Sequence, residues 1–218
     1  MEDMAEMARQ ELQSRAESFD DPIATQTDWS PLKRDGFNFC KHRLKKKDFH
    51  QMVFRPTVGY RLFCGIFLAV GVGVPIADLS NWPSFSANKD DWILPIFGLV
   101  FAGIGGGMMF FALSPIVFDK RRRYFWRGRS RPEQVENLDK SKKVVKLDSI
   151  HALQIISEWV TSSSRNGGSR SYRSYELNLV LKDSRRINVS NHGKGQKLLE
   201  DAQVLSNWLG VPSWDGTY

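Results

Sequence analysis

Cysteine is scarce in this chain. Its 218 residues include two, Cys40 and Cys64. That is too few for a disulfide framework, and Cys64 falls inside an apolar block from which bridging to Cys40 is awkward, so both are expected as reduced thiols. There is no HExxH, no GxSxG, no loop ending in GK[ST] and no CxxC pair, so zinc-peptidase, serine-hydrolase, P-loop and dithiol chemistry have no recognisable carrier. Cys40, His42 and His50 come nearest to a ligand set. Structural zinc usually takes four ligands at tighter spacing, so these three read as ordinary strand residues, with no metal and no cofactor expected. The opening stretch, MEDMAEMARQELQSRAESFDD, is acidic and lacks an apolar h-region, which argues against a cleavable signal peptide.

Long apolar runs, by contrast, are present, although the mean hydropathy is that of a soluble chain. Leu62 to Ala77 is 16 residues without a charge, flanked by Tyr60 and Trp82, and Trp92 to Phe118 is 27. A bilayer core of roughly 30 Å takes about 20 helical residues. Two spans are therefore expected, over about 60–80 and 92–114, forming a transmembrane hairpin within 60–118. The connector from Asp78 to Asp91 carries three Asp and one Lys. Cationic residues crowd the outer flanks: Arg43, Lys45, Lys46, Lys47, Arg55 and Arg61 before the first span, and Lys120, Arg121, Arg122, Arg123, Arg127, Arg129 and Arg131 after the second. The asymmetry puts both termini in the cytoplasm. Neither uncharged run, Leu62–Ala77 or Trp92–Phe118, contains an acid, a base or a histidine, so a proton relay or ion path has no visible carrier. Gly103 and Gly107 in the second span have the small-xxx-small spacing that lets helices approach closely. Packing within the chain against Gly65, Gly71 and Gly73 is the preferred reading, and a homo-oligomer through the second span is the alternative.

The remaining sequence reads as a mobile acidic tail over 1–30, a juxtamembrane β-hairpin over 31–59, and a cytoplasmic domain over 115–218. In the last, short alternating runs at Ile116–Asp119, Arg123–Arg127, Lys143–Leu147, Ile150–Val160, Tyr175–Leu181 and Arg186–Ser190 read as antiparallel strands. Thr161–Arg170 reads as a flexible separator. Leu198, Ala202, Leu205 and Leu209 repeat at helical spacing and Gly210 and Pro212 stop the run, so a helix is expected as the last element. The fold class is then α+β: a membrane hairpin plus an antiparallel sheet or split barrel capped by a C-terminal helix, the order of a pleckstrin-homology-like (PH-like) domain. If the 31–59 hairpin completes the sheet, the membrane hairpin is an insertion into one domain.

Several strings, namely His151-Ala-Leu-Gln-Ile-Ile-Ser-Glu158, Ser174-Tyr-Glu-Leu-Asn-Leu-Val-Leu181, Asn191-His-Gly193, Leu209-Gly-Val-Pro-Ser-Trp-Asp215, Trp29-Ser-Pro-Leu32 and Gly36-Phe-Asn-Phe39, resemble a family of uncharacterised bacterial two-span membrane proteins with a PH-like cytoplasmic domain. The resemblance implies a bacterial inner membrane and carries no catalytic residue.

The formal net charge is +7. Its concentration beside the apolar blocks favours anionic lipid headgroups over nucleic acid as partner, with Lys45, Lys46, Lys47, Arg121, Arg122, Arg123 and Arg127 as contacts. Lys194 and Lys197, at the start of the final helix, form a second anion candidate. His151 and Glu158 lie seven apart on a strand and project to opposite faces. They are expected to make cross-strand hydrogen bonds, to Asn178 or Arg186, rather than to act as an acid/base pair. The first functional reading is a non-catalytic membrane-anchored module that binds a protein partner or anionic lipid. The others are a small membrane enzyme or regulatory subunit acting on lipid or envelope substrates, and an accessory or immunity factor for a secreted toxin.

Overall fold

The computed structural model describes residues 14–32, 40–79, 92–129, 132–134, 143–163 and 169–217. Expectations that fall on 1–13, Gly36–Phe39, the connector loop and 164–168 lie outside these. The protein is mixed α+β and divides into two compact units, one formed by residues 1–55 with 115–218 and the other by 56–114.

Among the described residues the first unit has nine strands. β1 (His42–Lys46), β2 (Gln51–Pro56), β3 (Ile116–Asp119), β4 (Tyr124–Arg127) and β5 (Val144–Lys146) form one sheet in that order. β6 (Ile150–Ser163), β7 (Ser169–Leu181), β8 (Arg186–His192) and β9 (Ser213–Gly216) form a second, ordered β8-β7-β6-β9. β2 pairs antiparallel with β3, Met52 facing Phe118 and Phe54 facing Ile116, so the hairpin that precedes the first apolar block belongs to this sheet. The last three residues of the second block, Ile116–Phe118, are strand: Ile116 and Phe118 point into the core with Phe54 and Phe125. That core continues through Leu153, Ile155, Leu177 and Leu179 of the second sheet to Leu198, Ala202 and Leu205 of the helix Gly195–Leu209. Period-2 burial on both sheets and 3.6-period burial on the helix meet in one apolar interior.

Two sequence expectations need correction here. The helix is not the final element: Gly210, in the left-handed conformation at φ 77, closes it, and β9 then runs parallel to β6, with Trp214 opposite Gln154. The tail, expected to bury no face, is packed from Ala16 onward. Asp21 caps a short helix, α1 (Pro22–Gln26), by accepting from the Ile23 amide at 2.9 Å. Ala16, Ala24 and Trp29 are buried against Ala152, Ile156, Val180 and Trp214. Ala16 and Ala24 sit on two separate short helical stretches and Trp29 on the irregular stretch after them, so no single period marks them. Polar contacts fix the segment as well. The Arg186 guanidinium donates to Asp28 Oδ2 at 2.6 Å, to the Ser30 carbonyl at 2.7 Å and to Gln154 Oε1 at 3.3 Å.

The second unit is two helices, α2 (Val58–Leu79) and α3 (Ile93–Ala112), each long and apolar enough to cross a membrane. Much of their apolar surface is uncovered in the single chain: Leu62, Ile66, Leu99 and Phe111 are among the exposed side chains. Their closest approach runs over Gly71, Gly98 and Gly105. A Cβ on Gly71 would lie 2.1 Å from the Ala102 amide nitrogen, one on Gly98 2.5 Å from the Pro75 ring, and one on Gly105 2.5 Å from the Leu68 amide nitrogen. Gly103 and Gly107, and likewise Gly65 and Gly73, have nothing within 4 Å of such an atom. The intrachain seam is therefore displaced from the pair that the spacing singled out, because α3 turns Gly98, Gly105 and Ala102 toward its neighbour.

Candidate functional site

The five-stranded sheet gathers the basic residues. Strand β2 ends at Pro56, where the chain leaves for α2, and β3 starts at Ile116, where it has returned from α3. Because β2 and β3 are antiparallel, the β1–β2 and β3–β4 turns both lie at the opposite end of the sheet, and the Lys120 amide joins them by donating to the His50 carbonyl at 2.9 Å. Lys45 and Lys46 at the end of β1 and Lys47 on the turn that follows, with Arg121, Arg122 and Arg123 on the other turn, are all exposed. A strand rises about 3.3 Å per residue, so Gln51 and Arg55 lie roughly 13 Å apart, and the turn cluster is separated by that length from the end at which the chain exits.

Asp119 shapes the second turn. Its Oδ1 accepts from the amides of Arg121 and Arg122 at 2.9 and 3.0 Å, and its Oδ2 from Gln51 Nε2 at 3.0 Å, an Asx arrangement that leads into Arg123 at φ 62. Arg123 pairs with Asp148. Phe49 crowns the first turn. Its ring is 76% exposed, with the Lys46 ammonium 5.4 Å from the centroid, while its carbonyl accepts from Trp208 Nε1 at 3.2 Å. Lys120 in turn stands 4.5 Å over the Trp208 ring, a cation–π contact. Arg127 does not join this cluster. It is half-buried, donates to the carbonyl and Oδ1 of Asn188 at 3.2 and 3.1 Å, and its pKa is lowered by burial.

Between the two ends, the outward face of the sheet is hollow. Val53, Val117, Trp126 and Val144 form an apolar row across four strands, in register. Val117, Trp126 and Val144 are buried and Val53 is partly so. Above it opens a groove of about 540 Å³, with Arg55 at the chain-exit end and Lys47, Arg121 and Arg122 at the turn end. Sequence reading missed this groove. Its only trace was the apolar outward alternation at Val53, Val117 and Trp126, which looks the same as core alternation until the pairing is known.

At the second anion candidate, the Lys194 and Lys197 side chains are exposed, and the amide of the N-cap residue Lys194 is bonded to His192 Nδ1 at 3.2 Å. The His192 ring is fully buried; burial first, then Arg43, His42, Lys197 and Lys194, lower its pKa to about 4. With Nδ1 accepting, the ring is neutral and carries its proton on Nε2. The unfolded chain, with an ordinary histidine pKa near 6.5, therefore binds more protons than the folded one between about pH 6.5 and 4. The sign follows. His192 stabilises fully above about pH 6.5, and this contribution is lost as pH falls through about 4, on the order of 3 kcal/mol in all. His192→Gln should flatten that part of the stability–pH profile, measured by denaturant unfolding of the full chain in neutral detergent. An unchanged slope would remove His192 as its source.

His151 finds its partner outside the sheet. Its Nε2 lies 2.7 Å from Asp21 Oδ2, so it pairs with the amino-terminal segment rather than with Asn178 or Arg186. The irregularity between Ile150 and Ala152 takes this residue out of regular alternation. Cys40 and Cys64 are free thiols, and among the described residues no group of three acid, histidine or cysteine side chains is placed to hold a metal. No family model matches the chain, and neither a curated protein nor a solved structure is significantly similar to it.

Proposed function

We propose that this is a non-catalytic membrane-anchored module: α2 and α3 span a bacterial inner membrane, both termini are cytoplasmic, and a PH-like unit presents a cationic end to anionic lipid headgroups. The observation that carries the reading is the convergence of Lys45, Lys46, Lys47, Arg121, Arg122 and Arg123 at the two joined turns. Two of the six are paired, Arg123 with Asp148 and Arg122 with Glu133 at 3.5 Å, while Asp119 and Asp48 are tied to backbone amides, Asp119 to those of Arg121 and Arg122 and Asp48 to that of His50 at 2.7 Å. Each such cation gains about 1 kcal/mol beside an anionic leaflet. The exposed Phe49 adds an apolar tip of the kind that settles at a headgroup boundary. For the PH-like assignment, the support is two packed sheets with a helix closing the core. For the spans, it is two long apolar helices, charged only at Arg61 and Asp78 near the ends of the first, with apolar side chains exposed around them.

The test uses the full chain in lipid nanodiscs. Amide exchange over residues 45–50 and 120–123 should slow in discs containing phosphatidylglycerol relative to phosphatidylcholine. The protection should vanish at high salt and in the Lys45→Glu/Lys46→Glu variant. Equal exchange in both lipids would sink the headgroup reading. Topology is checked with reporters: a fusion at Ser84 should report from outside the cytoplasm and one after Tyr218 from inside.

A further inference from the structure

The groove on the outward face of the five-stranded sheet has features that a flat headgroup-contact surface does not need. Its volume, about 540 Å³, falls within the range of small-molecule sites, and its lining is mainly polar and charged around an apolar strip. Its floor is apolar at Val53, Val117 and Trp126, and the last two are 5% and 6% exposed. Cations outnumber acids in the lining, Lys47, Arg55, Arg121 and Arg122 against Asp48 and Asp119; Asp119 is bonded to Gln51 and to the turn amides, and Arg122 also pairs with Glu133 at 3.5 Å. Arg55, Lys47 and Arg121 form no salt bridge among the described residues. Arg122 lies 5.9 Å over the Trp126 ring, so its guanidinium is held above the floor as well as facing the groove.

We infer that this groove binds a single phosphomonoester carrying an apolar body, the phosphate held by Lys47, Arg121 and Arg122 and the body lying along Val53 and Val117 toward Arg55. A phosphate matches this end because guanidinium groups engage it with paired, charge-assisted hydrogen bonds. The apolar floor explains why a bare anion is insufficient. Such a ligand has two sources, a bilayer lipid with a phosphomonoester headgroup or a soluble phosphomonoester. The inference rests on the proposed headgroup surface only in sharing Lys47, Arg121 and Arg122. The two are separable, because Lys45 and Lys46 belong to the surface alone, and Arg55 and Val53 to the groove alone.

The experiment titrates the full chain, in phosphatidylcholine nanodiscs, with short-chain phosphatidic acid, short-chain phosphatidylcholine, adenosine monophosphate and inorganic phosphate, read by calorimetry. Saturable one-to-one binding of short-chain phosphatidic acid is expected, weakened roughly tenfold or more by Arg121→Gln and abolished by Val53→Trp, which fills the floor. Arg55→Gln should weaken it less, and Lys45→Gln/Lys46→Gln should leave it unchanged. Equal or tighter binding of adenosine monophosphate, with the same variant pattern, would support the groove and assign the soluble source. The inference is overturned if short-chain phosphatidylcholine binds as well, if inorganic phosphate alone matches the esters, if nothing saturates, or if Lys45→Gln/Lys46→Gln has the effect of Arg121→Gln. Failure of the nanodisc exchange test with success here would remove the surface and keep the groove.

Discussion

Trp29→Ala is expected to destabilise the sheet-bearing unit by about 3–5 kcal/mol, the usual cost of deleting a buried aromatic ring. Trp29 stacks on Phe19 at 5.3 Å between centroids and meets Trp214 at 6.1 Å. Its indole N–H donates to the Ala24 carbonyl at 2.9 Å, and its ring lies where a Cβ on Gly216 would come within 2.8 Å of it. The ring therefore joins α1 and β9 to the outer face of the second sheet. Trp29→Phe keeps part of the stacking and loses the indole hydrogen bond, so a smaller loss of about 1–2 kcal/mol is expected. Denaturant unfolding of the full chain in neutral detergent, followed by near-ultraviolet circular dichroism, measures both. A loss below about 1 kcal/mol for Trp29→Ala would mean that the segment does not hold this face.

How much was legible beforehand depended on whether the signal was local. The two apolar blocks, the hairpin Tyr175–Leu181 with Arg186–Ser190, and the stripe Leu198, Ala202, Leu205 each carry their own period, and helices and strands stand there. What failed was information held jointly by distant segments. Ala16, Ala24 and Trp29 look like scattered residues in an acidic stretch, and their burial is decided by Trp214 and Ile156 far along the chain. The same holds for β9, four residues whose pairing with β6 spans the whole helix. The polar chain from Arg127 through Asn188, Asn178 and Gln154 to Arg186 explains why Arg127 is lost from the headgroup set. Charge alone marks it as a cation of the flank, and only the packing of β4 beside β8 shows that it turns inward. The groove was hidden for a related reason: Val53, Val117 and Trp126 become one floor through strand register, and that register crosses 59 residues of inserted helical hairpin between Arg55 and Pro115.

Gly71→Leu should force α2 and α3 apart, whereas Gly103→Leu and Gly107→Leu should not. The Gly71 Cβ would sit 2.1 Å from the Ala102 nitrogen, 2.6 Å from its Cα and 2.8 Å from the Gly98 carbonyl. All three are backbone atoms, so no rotamer change relieves the clash. Where association in lipid depends on close backbone contact rather than on expelling water, such overpacking has no hydrophobic gain to offset it, and a cost of about 1–3 kcal/mol or more is expected. The readout is proximity across the hairpin. Phe67 and Phe101 stack at 5.7 Å between centroids with 14° between planes. A Phe67→Cys/Phe101→Cys pair in a Cys40→Ser/Cys64→Ala background should bridge efficiently with a short bismaleimide in nanodiscs. Gly71→Leu should cut that yield several-fold. Gly103→Leu and Gly107→Leu, at positions with nothing within 4 Å, should leave it intact. If these two substitutions lower the yield and Gly71→Leu does not, the seam lies on the face marked by the small-xxx-small spacing, and the packing over Gly71, Gly98 and Gly105 is wrong. If they instead leave the yield intact but abolish an oligomer seen by light scattering, that open face joins separate copies of the chain.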